Sequence, residues 1–84
     1  MHENHHVKRK TEERRDNMAK IPFNAARVAA GLTQQELAEK MGVSRSTVND
    51  WENGKREIRT PYLYLFCTIT GFTEDDIILP KVAT

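Results

Sequence analysis

Four hydrogen-bonding side chains would share one side of a helix over residues 45–53: Arg45, Ser46, Asn49 and Asp50. At about 100° per residue, Val48 and Trp51 fall on the opposite side of that helix. The major groove of DNA offers matching chemistry, because arginine can donate to guanine O6 and N7, asparagine can pair with adenine N6 and N7, and aspartate can accept from cytosine N4. Any small soluble helix also has a polar outer face, so this pattern alone leaves both interpretations open.

Glycines and capping residues divide the chain into short helical segments. Each of the four glycines follows a helix-compatible stretch, where a left-handed residue would end a helix. The run Thr33 to Glu36 has the spacing of a capping box, Ser44 can cap the next helix, and Thr60 places a capping hydroxyl before Pro61. Thr73 precedes three acidic residues, as at a helix N-terminus. These signals predict five helices, at about residues 22–30, 34–41, 45–53, 61–70 and 74–79. No segment shows sustained period-two alternation, so we expect an all-α fold without a sheet.

The segment before the third predicted helix strengthens the DNA interpretation. The second and third helices are joined by the tight turn Gly42-Val43-Ser44, which is the helix-turn-helix layout whose second helix enters the groove. The run Leu32 to Val48 (LTQQELAEKMGVSRSTV), followed by Trp51 to Lys55 (WENGK), resembles the signature of Cro/CI-type (XRE-like) regulators. These include the lambda-type phage repressors and Cro proteins. The resemblance covers about residues 21–79 and implies a compact five-helix, lambda-repressor-like domain with a central helix-turn-helix.

The resemblance also implies roles for individual residues. Arg45 and Ser46 match the first base-reading positions and Asp50 matches a later one, whereas Asn49 rests on the helical wheel alone. Gln34 matches a position that contacts phosphate and supports the recognition helix. The expected phosphate-binding set is Gln34, Ser44, Thr47, Asn53, Lys55, Arg56 and Arg59.

The comparison with the family also suggests one ion pair and shows two residues that differ from the family pattern. Arg27 matches an arginine that pairs with a glutamate, here Glu52, as a structural brace that is not a DNA contact. Asp50 places a carboxylate on the reading face, where repulsion from phosphates would weaken non-specific binding and could disfavour wrong bases. Thr70 stands where the family usually has leucine, so we expect looser packing of the fourth helix.

Composition indicates one small soluble domain. With 84 residues, 38% of them hydrophobic and 30% charged, the chain can form one modest core. No apolar run approaches the roughly 20 residues of a membrane helix, and the chain start lacks the apolar core of a secretory signal. A single cysteine, Cys67, excludes an internal disulfide framework and a cysteine-based zinc site. We therefore expect a cytoplasmic protein, and the resemblance implies a bacterial or phage origin and association with the nucleoid when bound to DNA.

Charge is distributed unevenly, although the net charge is only +1. Residues 1–20 combine a basic excess with almost no apolar content, so we expect a flexible charged N-terminal extension. It could follow phosphate or enter the minor groove, but its interleaved acidic residues favour a solvated segment. Residues 21–79 are then the DNA-binding domain and residues 80–84 a short C-terminal tail.

Neither catalysis nor a cofactor is expected. His2, His5 and His6 all lie in the extension, so no Ser/His/Asp triad can form within the domain. They could suggest a metal site, but with no carboxylate or thiol placed beside them a solvated tail is favoured. There is no glycine-rich phosphate loop. Cys67 lies on an apolar helical stripe, which favours a buried, inert thiol over a reactive one.

The predicted core draws on every helix. Its expected members are Val28, Leu37, Ala38, Met41, Val43, Val48, Trp51, Ile58, Leu63, Phe66, Cys67, Ile69, Thr70, Phe72 and Ile77. Tyr62, Tyr64 and Leu65 cover more of the fourth helix than one buried face can take, so part of this surface should be exposed. It could serve as a dimer interface or be a hydrophobic patch on a monomer.

Two functions from different classes remain. The first is a sequence-specific transcriptional regulator of double-stranded DNA, expected to be a repressor that binds a palindromic operator as a homodimer, with no small-molecule effector domain. The second is a protein-binding module, such as an antitoxin or assembly factor, that uses the same fold to hold a partner. A co-purifying protein without salt-dependent DNA binding would favour the second.

Overall fold

The computed structural model describes residues 20–82, which form four α-helices and a pair of short strands. In chain order the elements are β1 (Ile21–Pro22), α1 (Phe23–Ala29), α2 (Gln34–Met41), α3 (Arg45–Glu52), α4 (Thr60–Thr70), a 3-10 turn (Glu74–Asp76) and β2 (Ile77–Ile78). The described part of the chain is therefore mostly helical, and the predictions of five helices and an all-α fold are wrong. Predictions for residues 1–19, including the histidines, lie outside the described residues.

The predicted fifth helix is a single 3-10 turn followed by a strand. The Asp76 carboxylate accepts a hydrogen bond from the Thr73 N–H at 3.3 Å, so the predicted start of a helical turn at Thr73 is present. The helix does not continue, because Ile77 pairs in parallel with Ile21 and is buried by that pairing. β-Branched isoleucines also favour extended backbone. Two residues per strand are too few to show a period-two pattern, which is why the sequence did not reveal the sheet.

Three predicted capping and stop signals of the helix-turn-helix are present in the structure. Thr33 and Glu36 form the capping box: the Thr33 hydroxyl accepts from the Glu36 N–H at 3.0 Å, and the Glu36 carboxylate accepts from the Thr33 N–H at 2.9 Å. Gly42 ends α2 with a left-handed φ of 72°, and the Ser44 hydroxyl caps α3 by accepting from the Thr47 N–H at 3.1 Å. Four helix ends differ from prediction by one residue: α1 runs only from Phe23 to Ala29, α3 ends at Glu52, and α4 already includes Thr60, without a side-chain cap.

Two stacked phenylalanines form the centre of the core. The rings of Phe23 and Phe66 are 4.0 Å apart between centroids, and Trp51 meets Phe23 edge-on at 6.3 Å. The buried hydrophobic residues are Phe23, Ala26, Leu37, Ala38, Met41, Val48, Trp51, Ile58, Phe66, Cys67 and Ile77. Sequence reasoning missed Phe23 and Ala26 and wrongly included Val28, which is 61% exposed. Val28 lies about 140° around α1 from Phe23, so burial of the larger aromatic side chain turns the valine outward.

Several residues predicted for the core are only partly buried. Val43, Leu63, Ile69 and Phe72 pack against the core while partly exposed. The Thr70 hydroxyl donates to the Phe66 carbonyl at 2.9 Å, so its polar group is satisfied within α4.

Cys67 is buried, as predicted. Burial raises the pKa of its thiol, and the carboxylates of Glu74 and Asp76 raise it further. None of the described helices has the length and apolar character needed to cross a membrane.

Candidate nucleic-acid interface

Helix α3 places one face in the core and the other toward solvent. Val48 is fully buried and Trp51 is 4% exposed, whereas Arg45 and Ser46 are exposed. Asn49 and Asp50 are half-buried on the same outer side. The structure therefore brings the four predicted base-reading side chains onto one surface.

An ion pair connects α1 to the last residue of α3. Arg27 contacts Glu52 through two nitrogens, with Nε to Oε2 at 2.6 Å and Nη2 to Oε1 at 3.3 Å. A third bond joins Arg27 Nη1 to the Leu32 carbonyl at 2.7 Å. The side chains of Arg27 and Glu52 are only 14% and 7% exposed. This bidentate, charge-assisted contact fixes the direction of the Glu52 carboxylate.

Gln34, the first residue of α2, links that ion pair to the outer face of α3. Its Nε2 donates to Glu52 Oε1 at 3.0 Å and to Asn49 Oδ1 at 3.2 Å. Its Oε1 accepts from Arg45 Nη1 at 2.9 Å. We call the five connected side chains, Arg27, Gln34, Arg45, Asn49 and Glu52, the Gln34 network. Both amide hydrogens of Gln34 have acceptors, so a phosphate contact by Gln34 would replace one of these bonds.

The hydroxyl groups at the start of α3 form a second, smaller set of contacts. Ser44 Oγ lies 3.1 Å from Ser46 Oγ and 2.9 Å from Thr47 Oγ1. All three hydroxyls lie at the helix N-terminus, where backbone N–H groups and the helix dipole favour an anion. A phosphate oxygen is one such anion.

Basic side chains follow α3 in the segment 53–59, which we call the basic loop. Lys55, Arg56 and Arg59 are exposed in it. The Arg56 guanidinium approaches the Asp50 carboxylate at 3.9 Å, with side chains 58% and 32% exposed. Asn53, in contrast, directs its Nδ2 to the Asn49 carbonyl at 3.0 Å, which closes the end of the helix.

The turn at Gly54 is covered by the end of the described chain. Gly54 is buried with a φ of 73°, and a Cβ at this position would lie 2.7 Å from the Lys81 carbonyl oxygen. Pro80 and Lys81 therefore pack against Gly54 of the basic loop. The sequence carried no signal for this contact, because it joins segments that are distant in the chain.

Metal-binding side chains do not converge in this region. Within residues 20–82, no group of three histidine, cysteine, aspartate or glutamate side chains is placed to hold an ion.

The sequence matches one family model, described as Helix-turn-helix, over residues 24–77. The match spans α1 to α4 and includes every residue of the Gln34 network and the basic loop. A comparison with curated proteins finds no match.

Proposed function

Because the family match covers more than half of the chain, the protein belongs to the helix-turn-helix family of Cro/CI (XRE) type, and we propose that it is a sequence-specific transcriptional repressor of double-stranded DNA. The observation that carries the proposal is the outer face of α3, which presents Arg45, Ser46, Asn49 and Asp50 together. These side chains offer both donors and an acceptor to base edges in the major groove.

In the proposed complex, α3 lies in the major groove and its flanking residues contact the sugar-phosphate backbone. Ser44 and Thr47 lie at the N-terminus of α3, and Lys55, Arg56 and Arg59 lie beyond its C-terminus. Gln34 and Asn53 complete the proposed phosphate-binding set, and a phosphate bond from Gln34 would replace its bond to Glu52 while its bond to Asn49 stays in place. Contacts at both ends of the helix would fix its position along the groove, and its exposed face would then read the bases.

We propose that the protein binds a palindromic operator as a homodimer. The exposed aromatic and aliphatic side chains of α4 support this proposal, since Tyr62, Tyr64 and Leu65 are 40%, 53% and 37% exposed. Two copies related by a twofold axis would place their α3 helices about 34 Å apart, which is one turn of DNA. Occupation of such a site would repress transcription by excluding other proteins from the same DNA.

Selection of bound sequences from a random double-stranded DNA pool tests the proposal. We expect an enriched motif with two half-sites about 10 base pairs apart, and an affinity that falls steeply with salt concentration. A variant with Arg45→Ala, measured beside the wild type, reports whether α3 is the reading element. Absence of any enriched motif, together with a protein partner that co-purifies, would instead favour a protein-binding module.

A further inference from the structure

We infer that Asn49 reads a base carrying a keto oxygen in the major groove, guanine or thymine, because Gln34 holds its carboxamide with the NH₂ group outward. This inference rests on the proposed function, in which α3 enters the groove. It concerns the chemical preference of one base position, which the residue type alone does not determine.

The orientation of the Gln34 amide follows from its two charged neighbours. Glu52 carries a carboxylate, which only accepts hydrogen bonds, and Arg45 carries a guanidinium, which only donates them. Gln34 must therefore direct its NH₂ group toward Glu52, at 3.0 Å, and its carbonyl toward Arg45, at 2.9 Å. Arg27 holds Glu52 in place through two bonds, so this orientation is ultimately set by the ion pair next to the core.

Gln34 in turn fixes the orientation of the Asn49 carboxamide. The second amide hydrogen of Gln34 points to Asn49 Oδ1 at 3.2 Å, so the Asn49 carbonyl faces α2. Its Nδ2 must then face the other way. Among the described residues none accepts from this Nδ2, and no side-chain nitrogen or oxygen is buried without a partner. The Asn49 NH₂ group is therefore not fully buried, and it faces away from α2.

An outward NH₂ group distinguishes bases by their acceptors. The two-bond pair with adenine requires the asparagine carbonyl to accept from N6, and here that carbonyl faces Gln34. Adenine then offers the outward NH₂ group only the N7 acceptor, next to the N6 donor. Guanine presents two acceptors, O6 and N7, and thymine presents O4, whereas cytosine presents the N4 donor. The arrangement thus favours guanine or thymine at the position that Asn49 reaches, in contrast to the adenine expected from the residue type.

Selection from a random DNA pool with three variants tests the inference. Asn49→Ala removes the carboxamide, so one position of the motif should lose its preference for guanine or thymine, by about tenfold. Gln34→Met keeps the side-chain length but removes the amide group that orients Asn49. The Asn49 carboxamide can then rotate by half a turn, so the same position should also accept adenine. Gln35→Met is the matched control, because Gln35 is exposed on the same turn of α2 and bonds only to Glu39. Its motif should equal that of the wild type.

Asn49→Asp keeps the test decisive if Gln34→Met does not fold. A carboxylate has the same shape and only accepts, so its inner oxygen can still bond to Gln34 while its outer oxygen favours amino bases. The position should then change from guanine or thymine to adenine or cytosine. Thermal unfolding of every variant shows whether it is folded.

The possible failures are distinguishable. If the wild type enriches no motif, the proposed function itself fails. If a motif is enriched but the Asn49 position prefers adenine or cytosine, or if both Gln34→Met and Asn49→Asp retain the wild-type preference there, the inference is overturned while DNA binding stands.

Discussion

The two sides of the proposed DNA-binding surface are built in different ways. In the Gln34 network, five side chains are joined at 2.6–3.3 Å around a nearly buried ion pair. In the basic loop, the closest ionic contact is 3.9 Å between two partly exposed side chains, Arg56 and Asp50. The first region fixes the direction of each polar group before DNA arrives, whereas the second leaves its charges to solvent.

This difference matches the demands of the two proposed tasks. Base edges carry donors and acceptors at fixed places, so a side chain that reads them benefits from a fixed orientation. Phosphates attract positive charge from any direction and carry no sequence information, so flexible cations suffice. Two of the proposed base readers, Arg45 and Asn49, therefore lie within the network, whereas the cations proposed to supply affinity lie in the basic loop.

The largest expected effect is a difference in unfolding free energy between variants that remove the Arg27–Glu52 pair and the Arg56–Asp50 pair. Glu52→Ala leaves the nearly buried Arg27 guanidinium without its carboxylate, which should lower the free energy of unfolding by about 3 kcal/mol. Asp50→Ala is the matched control, because it removes an exposed pair and should cost less than about 1 kcal/mol. Urea unfolding of both variants measures the difference. Equal losses would show that the Gln34 network does not stabilise the fold more than the basic loop does.

Local signals explain why the helix-turn-helix could be predicted. The capping box at Thr33, the glycine stop at Gly42 and the cap at Ser44 each act within a few residues, so the sequence contains all the information for them. The outward face of α3 was predictable for the same reason, since Val48 and Trp51 define the inner face by their spacing alone.

Contacts between distant segments were not predictable in this way. Ile21 pairs with Ile77, and Lys81 packs on Gly54, only because the helices fold the chain back on itself. The resemblance suggested the partners Arg27 and Glu52. It did not suggest that Gln34 bonds Asn49 and Arg45 at once, because that depends on how α2 crosses α3.

The second effect concerns base reading by the Gln34 network. Arg45→Ala removes a guanidinium that Gln34 holds at 2.9 Å, and we expect a loss of about 2 kcal/mol of binding free energy on the best site. The preference at one base position should relax at the same time. Competition binding with single-base operator variants measures both. A uniform loss over all sequences would assign Arg45 to the phosphate-binding set instead.

The third effect tests what holds the basic loop in place. Gly54 and Gly42 have nearly the same φ, 73° and 72°, so alanine should strain the backbone similarly, by about 1 kcal/mol. Only at Gly54 would the new methyl meet another atom, the Lys81 carbonyl oxygen at 2.7 Å. We therefore expect Gly54→Ala to lower the unfolding free energy by about 1 kcal/mol more than Gly42→Ala. Equal losses would mean that Pro80 and Lys81 do not hold the loop.

The smallest effect separates affinity from specificity within the basic loop. Lys55 is exposed and its proposed partner is a phosphate, so Lys55→Ala should weaken binding to all DNA sequences alike. Loss of one phosphate contact should reduce the slope of log affinity against log salt concentration by about one. Lys40→Ala is the matched control, because Lys40 is also an exposed lysine, on α2 and outside the proposed contact set, and its slope should stay at the wild-type value. Salt titrations on the selected operator and on unrelated DNA give both slopes. A change in the selected motif, with the salt slope intact, would place Lys55 among the base readers and remove the distinction between the Gln34 network and the basic loop.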